Sequence, residues 1–266
     1  MRAEHQAVNP GGASLTISIV SHGHGAQVAA LVAQLAALHT GHLRRVLVTL
    51  NRPEPALQRE LDAGSWPFEL VILPNRQPTG FAANHNAAFA VDASTVASRY
   101  FAVMNPDVRL IGDPLALLID ALVPADVGCA YPVQIGLSGR AQDHERRLPT
   151  PLALLQRYTK SEPTGSAESA PDWVNAAFLV FPAPVFAALG GFDSHFHMYC
   201  EDVDLCIRMR LAGWRIVRVD AARVLHEGNR ATRRSAQHLL WHVRSLVRLW
   251  SSTPYRDFKR LQAASH

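Results

Sequence analysis

Residues 190–214 read GGFDSHFHMYCEDVDLCIRMRLAGW, and the reading of the whole chain turns on this stretch. Paired glycines open it, and Asp193, Glu201, Asp202 and Asp204 crowd its centre. An apolar spacing follows, with Val203, Cys206 and Ile207 at i, i+3 and i+4. Arg208 and Arg210 lie towards the end of that run, and Gly213 is placed to stop it. The pattern predicts a helix with acids in its first turn. Carboxylates gathered there either complement the helix macrodipole or serve chemistry. The segment alone leaves both open.

Outward from it, strands and helices alternate. Leu15–Val20 predicts a first strand, followed by a Ser21-His22-Gly23-His24-Gly25 turn and a helix over about 26–38. Strands are predicted at 45–50 and 68–73, a helix at 81–91, and a short strand at 100–104 that ends in Asn105-Pro106-Asp107. This alternation predicts an α/β fold with a mostly parallel central sheet. Further on, 136–151 and 160–171 read as loops, 174–181 and 215–219 as strands, and His226-Glu227-Gly228 as a turn. A long helix is predicted from near Ala236, residues 1–13 read as a flexible leader, and no internal repeat is visible.

Composition narrows the classes. A chain of 266 residues with 48% hydrophobic and 18% charged content is that of a folded globular protein. The formal charge of +4 is a mild basic excess, and no nucleic-acid partner is expected. Cys129, Cys200 and Cys206 have no metal-finger or disulfide-framework spacing. No run is long enough to span a bilayer, and the N-terminus has no apolar secretion core. The expectation is a cytoplasmic protein, free or peripheral at the inner face of the cell membrane.

Three more places can carry chemistry. Asp107, directly after a strand, can hold a divalent cation that bridges diphosphate oxygens, although Asn-Pro-Asp is also an ordinary turn. His226 can ligate a metal, and a lone histidine among 13 can equally be structural. Gly80, Asn84 and Asn86 open a helix whose N-terminus can receive an anion, a weak signal by itself.

In order along the chain come Ser21-His22-Gly23, Gly80-Phe81-Ala82-Ala83-Asn84-His85-Asn86, Asn105-Pro106-Asp107, Trp173-Val174-Asn175-Ala176-Ala177, Gly190-Gly191-Phe192-Asp193, the Glu201-Asp202-Val203-Asp204 block, Ala212-Gly213-Trp214 and Val224-Leu225-His226-Glu227-Gly228. That order resembles the inverting family 2 glycosyltransferases, in particular the rhamnosyltransferase-like branch. The resemblance implies a GT-A fold over 14–228, with a nucleotide-binding half at about 14–110 and an acceptor half at about 111–228. The remainder, 229–266, is a basic amphipathic helical extension. It implies Asp202 as general base with Glu201 beside it, and Asp107 and His226 holding Mg²⁺ or Mn²⁺. Ser21, Gly80, Asn84, Asn86, Asn105, Asp107, Ala176 and Ala177 would line the nucleotide-sugar, and Asp193 and Trp173 would face the acceptor.

The implied activity is transfer of a sugar, L-rhamnose from dTDP-rhamnose, to a hydroxyl of a bacterial cell-surface glycan or a polyprenyl-diphosphate-linked oligosaccharide. Galactofuranose or hexose transfer remains an alternative, as does a non-catalytic nucleotide-sugar-binding assembly protein. The chain departs from the family pattern where Asn105 replaces an acid, where Leu50 replaces the base-reading acid, and where Ser21-His22-Gly23-His24 replaces Ser-Tyr-Asn. A nucleotidyl-transfer site would want a cation in the loop after strand one, and residues 21–25 have none. In the extension, Leu239, Trp241, Leu246, Val247, Leu249 and Trp250 alternate with Arg244 and Arg248. Such a helix either lies on an anionic membrane or packs on the domain.

Overall fold

The computed structural model describes residues 14–38, 41–151, 171–226 and 236–264. The leader 1–13, the bulk of the polar 160–171 loop, and Glu227 and Gly228 lie outside the described residues.

The chain runs β1 (Leu15–Ser21), α1 (Gly25–Ala37), β2 (Leu43–Leu50), α2 (Pro55–Ala63), β3 (Glu69–Pro74), α3 (Phe81–Ser94) and β4 (Tyr100–Met104). It continues β5 (Val108–Ile111), α4 (Pro114–Asp120), β6 (Val127–Ile135), β7 (Glu145–Arg146), β8 (Trp173–Val174), β9 (Phe178–Pro182) and α5 (Ala183–Ala188). The last described elements are α6 (Glu201–Leu211), β10 (Arg215–His226), α7 (Ala236–Ser251) and α8 (Thr253–Ala264). One sheet orders its strands β3-β2-β1-β4-β9-β6-β10-β5, and β7 pairs with β8 beside it. The expected parallel pairing holds for β3-β2-β1-β4 and for β6-β10. Between those blocks β9 runs antiparallel to both β4 and β6.

Strand alternation builds a core on each face of the sheet. Leu15, Ile17 and Ile19 of β1, with Val46, Val48 and Leu50 of β2, pack towards α1 and α2. Phe101 and Val103 of β4, with Leu179 and Phe181 of β9, pack towards α5, α6, α7 and α8. The outward positions of β1 on that second face are polar, and α3 answers them. Thr16 Oγ1 donates to Asp92 Oδ1 at 2.7 Å, and Ser18 Oγ and His85 Nδ1 share a hydrogen bond at 2.8 Å. Arg45 Nη1 meets the same Asp92 oxygen at 2.6 Å, and the Ser98 amide donates to Asp92 Oδ2. Burial pushes the His85 imidazole down to about 3, so it docks as a neutral ring.

Several expectations are corrected. The strand expected at 174–181 is broken by a turn at Asn175–Ala177, which sends β8 and β9 into different sheets. The strand expected at 215–219 continues to His226 through a register shift between Val219 and Arg223. The long C-terminal helix is two helices, α7 and α8. The elements α2, β5, α4 and β6 were not expected, although Leu57 and Leu61 of α2 and Leu115, Leu118 and Ile119 of α4 keep a helical spacing.

Asp92 and Arg45 are each almost fully buried, and although Glu69 also pairs with Arg45, truncating Asp92 leaves Nη1 of the guanidinium without its buried partner and frees Thr16 and Ser98 of theirs. Asp92→Ala is expected to cost about 3–5 kcal/mol in urea unfolding.

Candidate functional site

In sheets of this kind ligands bind beyond the carboxyl ends of the parallel strands. There, β4 ends and the chain turns through Asn105-Pro106-Asp107 into β5. Because β5 pairs antiparallel to β10 with His226 opposite Val108, the end of β10 arrives beside that turn. His226 Nε2 lies 3.5 Å from Asp107 Oδ1. Burial of the ring lowers its pKa, Asp107 partly offsets this, and the imidazole is neutral. Its Nδ1 is hydrogen-bonded to Gln134 Oε1 at 2.9 Å. Gln142 Nε2 donates to the His226 carbonyl. Two residues 119 positions apart in sequence, by the difference 226 − 107, thus face each other.

The acidic segment reaches the same region from the other side. Asp202 stands in the first turn of α6, half-buried, and accepts the Val203 amide at 2.8 Å. Burial pushes its carboxyl up to about 6, against the pull of the Val203 amide, Arg146 and the Ala176 amide. Ala176 and Ala177 are the hinge between the two halves of the site. Asp202 draws on the amide of Ala176, and the carbonyl of Ala177 accepts the Asn105 amide at 2.8 Å.

The backbone before Asp202 is strained. Tyr199 and Cys200 both have positive φ, 71° and 67°, among the described residues the sole non-glycine pair to do so. Such conformations cost about 1–3 kcal/mol each and persist where surroundings impose them. Here α7 does so: Tyr199 Oη is hydrogen-bonded to His238 Nδ1 at 2.7 Å, and Ser245 Oγ donates to the Met198 carbonyl. His197 stacks near Trp241, and Arg248 lies over Phe196.

Other sequence-derived candidates have different occupations. Glu201 is buried and its Oε2 has no partner among the described residues. Burial and the neighbouring Asp202 hold its carboxyl well above the usual range, so it is a neutral acid beneath the site and no companion base. Asp204, expected to complement the helix start, bonds Arg208, whose guanidinium also holds the carbonyls of Leu189 and Gly191. Asn86 is spent on both backbone groups of Phe192, so it fixes the Gly190-Gly191 turn and does not line the nucleotide. A Cβ on Gly191 would lie 2.4 Å from Asn86 Oδ1. Gly80 is packed under the backbone of His197, which takes the Phe81 amide, so this helix start is not an open anion site.

Asn84 accepts from Asn75 and Thr79, joining the carboxyl ends of β2 and β3 to α3. Ser21 Oγ accepts the His24 amide and shapes the first turn. Leu50, in place of an acid, is core, and the neighbouring Asn51 is committed to Asn75, Thr79 and His22. Trp173 is buried with its indole N–H on the Arg147 carbonyl, so it supports Arg146 over its face and is no open acceptor contact. Asp193 stays partly exposed, bonded to His195 and facing Arg248 of α7.

Sequence reading missed Gln134, Asn175 and Arg146. Gln134 reaches Asn175 and His226 across 41 and 92 positions, and Arg146 acts on Asp202 from another element, which no local pattern reveals.

No family model matches the chain. Over 162 residues it is 30% identical to N-acetylglucosaminyl-diphospho-decaprenol L-rhamnosyltransferase of Mycobacterium tuberculosis (strain ATCC 25618 / H37Rv), covering 54% of this chain and 52% of that protein. Over 99 residues it is 32% identical to Rhamnosyltransferase WbbL of Escherichia coli (strain K12), covering 36% of this chain and 38% of that one. The matches therefore span about half or less of these curated relatives. Among solved structures, GalNAc-T7 with UDP, GalNAc and Mn²⁺ superposes with a TM-score of 0.65 at 13% identity, over 92% of this chain and 49% of that one.

The fold is that of the GT-A glycosyltransferases. The two sequence relatives named above are rhamnosyltransferases, the branch that the motif order resembled. Within that fold, Asp107 pairs with His226 beyond the end of β4, and Asp202 stands at the head of α6.

The raised Asp202 pKa fixes a sign. A folded-state pKa above the unfolded value stabilises the protein at low pH, and that stability is lost as pH rises from about 4 through about 6. Asp202→Asn is therefore expected to raise Tm relative to wild type at pH 8 and to leave it nearly equal at pH 4, read by thermal denaturation at both values.

Proposed function

We propose that this chain is an inverting glycosyltransferase that moves a sugar from a nucleotide-sugar to a hydroxyl of a bacterial cell-surface glycan or a lipid-linked oligosaccharide. The observation that carries the reading is the Ala176-Ala177 turn. It joins the neighbourhood of a carboxyl tuned to near-neutral pH to the Asn105-Pro106-Asp107 turn, where Asp107 lies beside His226.

Asp202 takes the proton of the acceptor hydroxyl. A base works best when its pKa lies near the working pH, and burial has moved this carboxyl in that direction. The amide of Val203 bonds one of its oxygens, and the Ala176 backbone lies near enough to favour the carboxylate. Glu201, held neutral, adds no negative charge beside the diphosphate. The small side chains of Ala176 and Ala177 leave room for the sugar between the acid and the leaving group.

Asp107 and His226 suit Mg²⁺ or Mn²⁺. A carboxylate oxygen and a neutral imidazole nitrogen face each other, and diphosphate oxygens and water can complete the shell. Among the described residues no cluster of three or more His, Cys, Asp or Glu side chains is formed, in keeping with a metal held partly by substrate. When bound, the ion supplies charge neutralisation for the departing diphosphate.

For the donor we propose dTDP-L-rhamnose, because the sequence relatives named above are rhamnosyltransferases. The M. tuberculosis relative is named for a decaprenyl-diphosphate-linked GlcNAc, which supports a polyprenyl-diphosphate acceptor. Within this reading 14–110 is the nucleotide half, 111–228 the acceptor half and 229–266 the extension.

No helix among the described residues is long and apolar enough to cross a membrane. In α7 the inner face buries Ser245, Leu246 and Leu249 on the domain. Its outer face leaves Leu239, Leu240, Val243 and Val247 about half exposed, at 47%, 49%, 48% and 58%, beside exposed Arg244. That face supports peripheral contact with anionic lipid at the inner surface of the cell membrane.

Purified protein with dTDP-rhamnose and a GlcNAc-diphosphate-lipid acceptor should give transfer that depends on Mg²⁺ or Mn²⁺, with UDP-galactofuranose and UDP-hexoses as comparison donors. Asp202→Asn should lower kcat by about 10²–10⁴-fold. Donor binding without turnover in the wild type would instead mark a non-catalytic binder. Vesicles containing phosphatidylglycerol should float the wild type at low salt and lose it when Leu240 and Val243 are changed to Ser.

A further inference from the structure

The ring of His226 is not free to choose which nitrogen carries its proton. The Ala177 backbone N–H, which can only donate, lies 3.3 Å from Asn175 Oδ1. That contact sets the Asn175 amide, so its Nδ2 donates to Gln134 Oε1 at 3.1 Å. Gln134 Nε2 returns a bond to Asn175 Oδ1 at 2.6 Å, which fixes the second amide in turn. Gln134 Oε1 is thereby an acceptor, and His226 Nδ1, 2.9 Å away, must be the donor. In the neutral ring the remaining nitrogen, Nε2, then turns a lone pair towards Asp107 Oδ1. Two acceptors facing each other at 3.5 Å gain nothing from each other. They are arranged for something cationic between or beside them.

We propose that Gln134 and Asn175 are positioning residues: anchored on the Ala177 amide, they lock His226 as its Nδ1–H tautomer and keep Nε2 open as a metal ligand. Their role for a metal rests on the function proposed above, while the lock itself rests on the hydrogen bonds alone. Partners of this kind, one bond behind a ligating histidine, set ring orientation and ligand basicity. The same turn that offers its Ala176 amide to Asp202 would then also set the histidine. Neither amide touches substrate.

The test uses the full chain, without metal and then with Mn²⁺ alone. In the metal-free protein, long-range ¹H–¹⁵N spectra, assigned with a His226→Gln variant, should show the His226 ring as Nδ1–H. Gln134→Leu removes the acceptor, and Asp107 can then accept from an Nε2–H. The ring should reverse its tautomer, and Mn²⁺ affinity read by electron paramagnetic resonance should fall about 10–100-fold. Asn175→Asp, similar in size but lacking the Nδ2 donor, should give a mixture of the two tautomers. An Nε2–H ring in the wild type, or an unchanged ring in folded Gln134→Leu, overturns the inference. If the tautomers behave as stated but the wild type binds no Mn²⁺, the lock stands and the metal reading falls.

Discussion

The active half of the molecule depends on a strained piece of backbone. Tyr199 and Cys200 sit at positive φ without being glycine, and that turn leads directly into the head of α6, where Asp202 stands. Nothing in the turn's own sequence prefers this conformation. It is imposed from three sides. Arg208, anchored by Asp204, holds the carbonyls of Leu189 and Gly191 at one end of the segment. Asn86 of α3 pins Phe192 in its middle. At the far end α7 bonds Met198 and Tyr199 through Ser245 and His238. The C-terminal helix is therefore part of the frame that places Asp202, whatever else its outer face contacts.

Environment separates the adjacent acids of that helix head. Glu201 is turned into the apolar core with an unpartnered oxygen and is held neutral. Asp202, one residue on, keeps two amides and partial exposure, and its carboxyl rests near 6. Asp204 completes the set as a buried ion-pair partner. Three carboxyls within four residues thus have three fates, decided by the direction in which the helix turns each one.

The two halves of the site meet only because β9 runs against its neighbours. An antiparallel β9 between β4 and β6 brings the Asn175–Ala177 turn to the carboxyl ends of the parallel strands. There a single turn serves Asn105, Asp202 and, through Asn175 and Gln134, His226.

Much of this was legible in the chain. Apolar alternation over Leu15–Val20 and 100–104, the acids ahead of Val203, Cys206 and Ile207, and Gly213 at its stop are local signals, because period and capping act within a few residues. They determined the α/β class and the α6 helix, while the roles expected of Asp107, Asp202 and His226 came from the resemblance of the motif order. What the tertiary structure alone decided was which candidates meet. Asn86, Trp173 and Glu201 look polar or amphipathic in sequence but are consumed by backbone or core. Gln134 and Asn175 look ordinary and hold the histidine. Hydrogen-bond partners and burial are set by chain segments tens of residues apart, and no local periodicity records those distances.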